Sequence, residues 1–398
     1  MGQTFNTLLK KVKSEIQELT PAEADKFLGE NRPARLLDVR EKIEFDEGYI
    51  PGATHVPRGH LEARIEETVP DKSTPIVLYC AGGIRSAFAA QTLELMGYTS
   101  VFSMSGGYGG WKSYGGAVVK PRTLTAAQQA RYSRHLLVPE VGEQGQLKLL
   151  DTKILLIGAG GLGAPNAYYL AAAGVGTLGI IDNDVVEESN LQRQIIHTVE
   201  RVGQYKADSA AKAIQALNPD VTVVVYKERL TASNIERILP QYDLVVDGTD
   251  NFETRYLVND FAVKYRKPVI HASILSFNGQ LTTLIPYEGP CYRCIYPDPP
   301  PAALAPNCSE AGVLGVLPGV IGLLQSNEAL KLALGIGTSL AGRFLLFDAL
   351  EAEFTELKLR RDPHCVACGE HADLDDLLEQ HRRGDVLIPA CQIAYTQH

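Results

Sequence analysis

KILLIGAGGLG, residues 153–163, decides the fold of most of this chain. The apolar run Ile154–Ile157 reads as a buried strand, broken by a glycine-rich turn that opens a helical pattern. Gly158, Gly160 and Gly163 fit G-x-G-x-x-G, whose turn lets backbone N–H groups and a helix N-terminus approach a phosphate. Asp182 ends the next strand-like run, GTLGIID (176–182), where a ribose-binding acid belongs. VTVVVY (221–226), YDLVVDG (242–248) and PVIHAS (268–273) add further strand-like runs. Helical patterns separate several of them, so the region is read as a mostly parallel, doubly wound α/β sheet. The glycine motif alone also fits a nicotinamide-dependent oxidoreductase.

The surrounding residues favour a triphosphate. SNLQRQ (189–194) supplies Arg193, GQYKA (203–207) supplies Lys206, and RYSRH (131–135) adds Arg131 and Arg134. GTDN (248–251) puts Asp250 just after a strand, at the carboxyl edge where ligands bind. A triphosphate needs several cations and a carboxylate to hold magnesium. CYRC (291–294) and CVAC (365–368) are two Cys-x-x-Cys pairs. Cys291, Cys294, Cys365 and Cys368 suit one tetrahedral structural zinc. A redox pair is the rival reading for either.

Together these motifs resemble the adenylating enzymes related to ubiquitin activation, specifically the MoeB/ThiF group. The resemblance runs from LTAAQQARYSRH (124–135) through CVACG (365–369), with IDND, PCYRC and NCSEAGV in the family's order. It implies that ATP is joined to the C-terminal glycine carboxylate of a ubiquitin-like sulfur carrier ending in Gly-Gly. Pyrophosphate leaves and an acyl-adenylate remains. By the same resemblance Asp182 binds ribose, Arg193 and Lys206 hold the phosphates, and Asp250 binds Mg2+. Gly161, Asn190, Gln194 and Asn251 fall within the matched nucleotide-binding motifs. Arg134 is implied to reach the nucleotide of a partner subunit, hence a homodimer. Cys308, in the proline-rich run 295–313, falls where such enzymes keep a thioester- or disulfide-forming cysteine. Arg293 is its nearest cation in sequence.

The first part of the chain is a second α/β unit. ARLLDVR (34–40) and TPIVLYC (74–80) read as buried strands, and Cys80 opens the loop C-A-G-G-I-R before an Ala-rich helix at about Ser86. Loop glycines and a helix N-terminus make an anion nest that favours thiolate. DVRE (38–41), F-x-x-G-Y-I-P-G-A (45–53), the Cys80 loop and S-G-G-Y-G-G-W (105–111) resemble a single-domain rhodanese. That implies a persulfide on Cys80, with Arg85 supporting the loop; Asp38 and Arg40 read as structural. Its sulfur donor would be a cysteine desulfurase or thiosulfate.

The divisions expected are an arm (1–14), a rhodanese-like domain (15–116), a linker (117–123), an adenylating domain (124–370) and a tail (371–398). The arm is read as basic and frayed, and the tail as carrying an acidic amphipathic helix at about 372–383. A net charge of −9 argues against broad nucleic-acid binding. VLGVLPGVIGLL (313–324) is too short to span a bilayer and reads as buried. The first residues lack the apolar core of a secretory signal, and seven cysteines suggest reduced thiols in a cytoplasmic protein.

A persulfide that captures an acyl-adenylate leads to a thiocarboxylate, the sulfur form used in molybdopterin, thiamin, cysteine and tRNA-thiolation pathways. The other readings are an adenylyltransferase whose rhodanese serves separately, the oxidoreductase, and a non-catalytic carrier-binding scaffold. Fused members of the family usually carry the rhodanese after the adenylating domain; here it comes first.

Overall fold

Residues 4–31, 33–298 and 312–385 are described by the structure, a computed structural model. The chain divides into two units, Met1–Thr123 and Leu124–His398.

In the first unit, strands β1 (Gln17–Leu19), β2 (Arg35–Asp38), β3 (Ala53–His55), β4 (Ile76–Tyr79) and β5 (Val101–Met104) form one sheet. Its order is β1-β5-β4-β2-β3, and every pair is parallel. The central strand β4 is buried at all its positions, as an apolar run covered on both faces must be. The expected frayed arm is instead a helix, Phe5–Glu15, capped by the Thr4 hydroxyl. Leu9, Val12 and Ile16 fall on one helical face, and Val12 and Ile16 join the core that holds Ala87 and Ala90. The lysines between them obscure that face in the sequence.

The second unit carries β6 (Lys153–Ile157), β7 (Thr177–Ile181), β8 (Thr222–Tyr226), β9 (Leu244–Asp247), β10 (Val269–Leu275), β11 (Asn278–Leu284), β12 (Arg343–Asp348) and β13 (Glu353–Lys358). The order is β13-β12-β11-β10-β9-β6-β7-β8. From β8 to β10 the pairs are parallel; from β10 to β13 they are antiparallel. β6 has β7 on one side and β9 on the other. The chain therefore winds away from β6 in both directions, and a crevice opens at the carboxyl ends of β6 and β9.

The run at 313–324 leads into a helix, Val316–Leu334. No helix among the described residues is long and apolar enough to cross a membrane. The polar residues of this helix bind it to the sheet. Gln325 donates to the Asp247 and Ile270 carbonyls at 2.8 and 3.0 Å, and its own oxygen accepts from Asn166 at 3.0 Å. These partners are buried, so the amide hydrogen bonds hold β9 and β10 in place beneath the helices.

The expected tail is in part packed structure. Helix Leu374–Arg383, capped by Asp373, buries Leu377 and Leu378. His381 Nε2 lies 2.6 Å from buried Asp260 on helix Phe252–Tyr265.

Candidate functional sites

β4 delivers Cys80 to a loop that ends at helix Ile84–Leu95, two residues earlier than expected. Gly83 precedes that helix at φ +90°, a left-handed conformation suited to glycine. Cys80 Sγ accepts from the Gly83 N–H at 3.1 Å and from the Ser86 hydroxyl at 3.6 Å. Ser103 in turn donates to Ser86 at 2.9 Å. Both serines are buried polar groups that the sequence reading missed. The glycines of 105–111 have a steric reason. A Cβ on Gly107 would lie 2.3 Å from the Cys80 carbonyl oxygen, so only glycine lets that turn lie against the loop. Tyr108 and Gly109 then donate to the Cys80 and Ala81 carbonyls at 2.7 and 3.0 Å.

Arg85 makes two 2.7 Å hydrogen bonds to Glu44. That pairing is the first cause holding the Glu44 carboxyl at about 2. Arg85 thus braces the loop through Glu44 and makes no hydrogen bond to the sulfur. Asp38 and Arg40 are buried and bonded to each other, and Arg40 also donates to the Gly48 carbonyl at 2.7 Å.

In the second unit, a cleft of about 790 Å³ lies at the β6/β9 switch point. Its wall includes Gly158, Gly160, Gly161, Asp182, Arg193, Gln194, Lys206, Asp250 and Asn251. Gly163 serves packing instead. A Cβ there would meet the Gly158 carbonyl oxygen at 2.1 Å, so its absence lets helix Gly163–Ala173 pack on the turn. Asp182 accepts the Ala159 and Asp184 N–H groups at 2.8 Å each, and burial nonetheless raises it above the usual carboxylate range. Lys206 is buried and paired with Asp184 at 2.9 Å. Asn251 caps helix Phe252–Tyr265, leaving Asp250 exposed at the cleft's edge.

Two predicted residues stand apart from the cleft wall. The Asn190 side chain caps its own turn by accepting from Glu187 N–H at 3.1 Å. Arg134 is exposed on the short helix Ser133–Leu136. Several wall residues escaped the sequence reading. Arg255 and His271 line the cleft, and His197 braces its glycine turn through the Ala159 carbonyl at 2.9 Å. The buried Gln194 Oε1 and Arg255 Nε have no hydrogen-bond partner, as expected of groups kept for a ligand.

Cys291, Cys294, Cys365 and Cys368 converge, with their sulfurs all within 4.8 Å of one another. Arg293, between two of them, is only 4% exposed and donates to Asp260 at 2.8 Å through both Nε and Nη2. It is therefore committed to that carboxylate. Cys308 itself lies outside the described residues.

Residues 132–367 match the ThiF family and residues 20–114 match the rhodanese-like domain. A sulfur carrier protein adenylyltransferase of Thermus thermophilus is 50% identical over 260 residues, covering 64% of this chain and 96% of that protein. A probable adenylyltransferase/sulfurtransferase, MoeZ, of Mycobacterium tuberculosis is 48% identical over 265 residues, 65% of this chain and 67% of that relative. The solved structure of E. coli MccB with ATP overlaps with a TM-score of 0.52 at 22% identity, covering 63% of this chain and 77% of that one, a likeness of fold. With its glycine turn, switch-point cleft and four-cysteine cluster in one unit, the chain belongs to the ThiF family and carries a rhodanese-like domain ahead of that match.

Proposed function

We propose that this chain adenylates the C-terminal glycine of a ubiquitin-like sulfur carrier and then transfers sulfur to it from a persulfide on Cys80. The observation that carries the reading is the cleft, where a glycine turn, a half-buried acid, two cations and an open carboxylate share one wall. Asp182 would hold the ribose, while Arg193 and Lys206 neutralise charge as pyrophosphate leaves the α-phosphorus. Gln194 and Asn251 would add polar contacts, and Asp250 would hold Mg2+, which offsets the phosphate charge. Arg134, exposed and outside the cleft wall, would act across a homodimer on the partner subunit's nucleotide.

The carrier's carboxylate attacks the α-phosphorus, giving the acyl-adenylate. The outer sulfur of the Cys80 persulfide then attacks the acyl carbon and AMP leaves. A thiol reductant cleaves the resulting S–S bond, releasing thiocarboxylate and Cys80 thiol. The persulfide comes from thiosulfate or a cysteine desulfurase. All five described cysteines are free thiols, in keeping with a reducing cytoplasm.

The four-cysteine site fits zinc. Zn–S bonds of about 2.3 Å in a tetrahedron put sulfurs about 3.8 Å apart. The observed separations are 3.9 Å for Cys291–Cys294, 3.6 Å for Cys291–Cys365 and 3.4 Å for Cys294–Cys368. Zinc there would clamp the segments and leave no open position for catalysis.

The test presents the purified chain with a panel of Gly-Gly-ended carriers and measures ATP–pyrophosphate exchange, then thiocarboxylate with thiosulfate present. A lack of exchange with every carrier of the panel would overturn the adenylation reading. Thiocarboxylate formation undiminished in Cys80→Ala would mean that the rhodanese-like unit serves elsewhere.

A further inference from the structure

Beside the cleft, with only its histidine in the wall, lies a buried pair for which the proposed adenylation has no use. His271 on β10 lies opposite Asp247 on β9 in parallel register. Its Nδ1 is 2.7 Å from Asp247 Oδ2, and each residue is 2% exposed. The other oxygen of Asp247 accepts the Thr249 N–H at 2.9 Å and its hydroxyl at 2.7 Å, so the carboxylate is fixed in orientation. An ionised Asp247 fixes the tautomer with the proton on Nδ1 and the lone pair on Nε2. Nε2 has no partner among the described residues, and His271 is part of the cleft wall.

Resting on the adenylation reading, we propose that His271 takes the proton from the sulfur nucleophile that captures the acyl-adenylate. In that step the sulfur–carbon bond forms and the S–H proton passes to Nε2. The bond from carbon to the phosphate oxygen breaks, and AMP leaves with its electron pair. The proton later returns to solvent, and no oxidant or reductant enters.

Forming the adenylate needs no proton acceptor, because a carboxylate is already ionised. Capturing it with a protonated sulfur, thiol or persulfide, does. Carboxylates, ordinarily near about 4, hold a thiol proton poorly at neutral pH, and an imidazole is ordinarily the stronger base. Two carboxylates of the wall are also engaged, Asp182 by two backbone N–H groups and Asp184 by Lys206, and Asp250 is the one assigned to Mg2+.

The titratable groups facing His271 are Asp247 from β9, Arg255 from helix Phe252–Tyr265, and Tyr292 from helix Tyr292–Ile295. Burial pushes His271 below the usual imidazole value, and the Arg255 charge acts in the same direction, against the Asp247 hydrogen bond. Both favour the neutral imidazole, the form that accepts a proton.

The experiment uses His271→Asn in the full chain, since an asparagine amide can keep the hydrogen bond to Asp247 while removing Nε2. The carrier is the Gly-Gly-ended protein giving the fastest exchange, and dithiothreitol is the nucleophile. Expected is AMP release with the thiol at pH 7 slowed roughly a hundredfold more than exchange by the same variant is. The variant's capture rate should climb about tenfold per pH unit, following thiol ionisation, where the wild type is nearly flat. Unchanged capture with a flat profile overturns the inference. So does a loss of exchange in step with capture, which would make His271 a binding group. If the wild type itself supports no exchange, the adenylation reading falls first and takes this inference with it.

Discussion

Replacing Gly107 by alanine tests whether the 105–111 turn sets the position of Cys80. The new Cβ would lie 2.3 Å from the Cys80 carbonyl oxygen, and 2.9 Å from both Ala81 C and Gly83 N. All three are backbone atoms, so none can swing aside as a side-chain tip would. Restoring ordinary contact requires the loop and turn to part by roughly 1 Å, a displacement that costs about a hundredfold when it misplaces a reacting group. Gly107 also has φ +54°, where an alanine costs about 1–2 kcal/mol more than glycine. The hydrogen bonds from Tyr108 and Gly109 to the loop carbonyls would lengthen with the shift. The assay is sulfur transfer from thiosulfate to cyanide, with ATP–pyrophosphate exchange by the same preparation as the internal control. The expected result is sulfur transfer reduced about a hundredfold with exchange unchanged. Transfer within twofold of wild type would refute the packing argument.

Three further outcomes can be checked. Asp250→Ala should cost about 3 kcal/mol of the adenylation barrier, read as lost magnesium-dependent exchange, while thiosulfate-to-cyanide transfer persists; normal exchange contradicts the assignment. Metal analysis of freshly purified, reduced protein should find one zinc per chain at Cys291, Cys294, Cys365 and Cys368, and chelation should lower the second unit's melting temperature. Glu44 is held at about 2 from an ordinary 4.5, so its contribution to stability is present above 4.5 and disappears as pH falls toward 2. The full shift would correspond to about 3 kcal/mol, which solvent around this part-exposed pair reduces to about 1 kcal/mol. Urea unfolding followed by Trp111, the sole tryptophan, should therefore separate wild type from Glu44→Gln at pH 6 and not at pH 2.

The central parallel strands were legible because burial on both faces leaves a largely apolar run, as in Ile76–Tyr79 and Leu244–Asp247, whereas the short strands β1 and β3 and strand β5 went unread. β13 was not legible: all six of its residues are exposed, so no alternation marks it. The nucleotide motifs were legible because their residues act within short stretches of chain. His271 and Asp247 meet only through the register of two strands separated by a helix, and nothing in PVIHAS announces a partner. Arg293 illustrates the converse. It is near Cys308 in sequence, yet its partner is Asp260, on a helix well upstream. Ser86 and Ser103 likewise meet only after β5 and helix Ile84–Leu95 have packed.

The cysteine cluster joins positions 74 residues apart, as in Cys291–Cys365. A metal bound there closes a loop containing helix Val316–Leu334 and strands β12 and β13. In chain-entropy terms a cross-link of that span removes unfolded conformations equivalent to about 4 kcal/mol, comparable to a disulfide. Unlike a disulfide, it can persist where thiols are kept reduced. A ligand-exchange reaction, not an oxidation, then governs whether the cross-link is open or closed. The covalent continuity of the antiparallel edge with the doubly wound half is thereby supplemented by a cross-link whose occupancy follows metal supply.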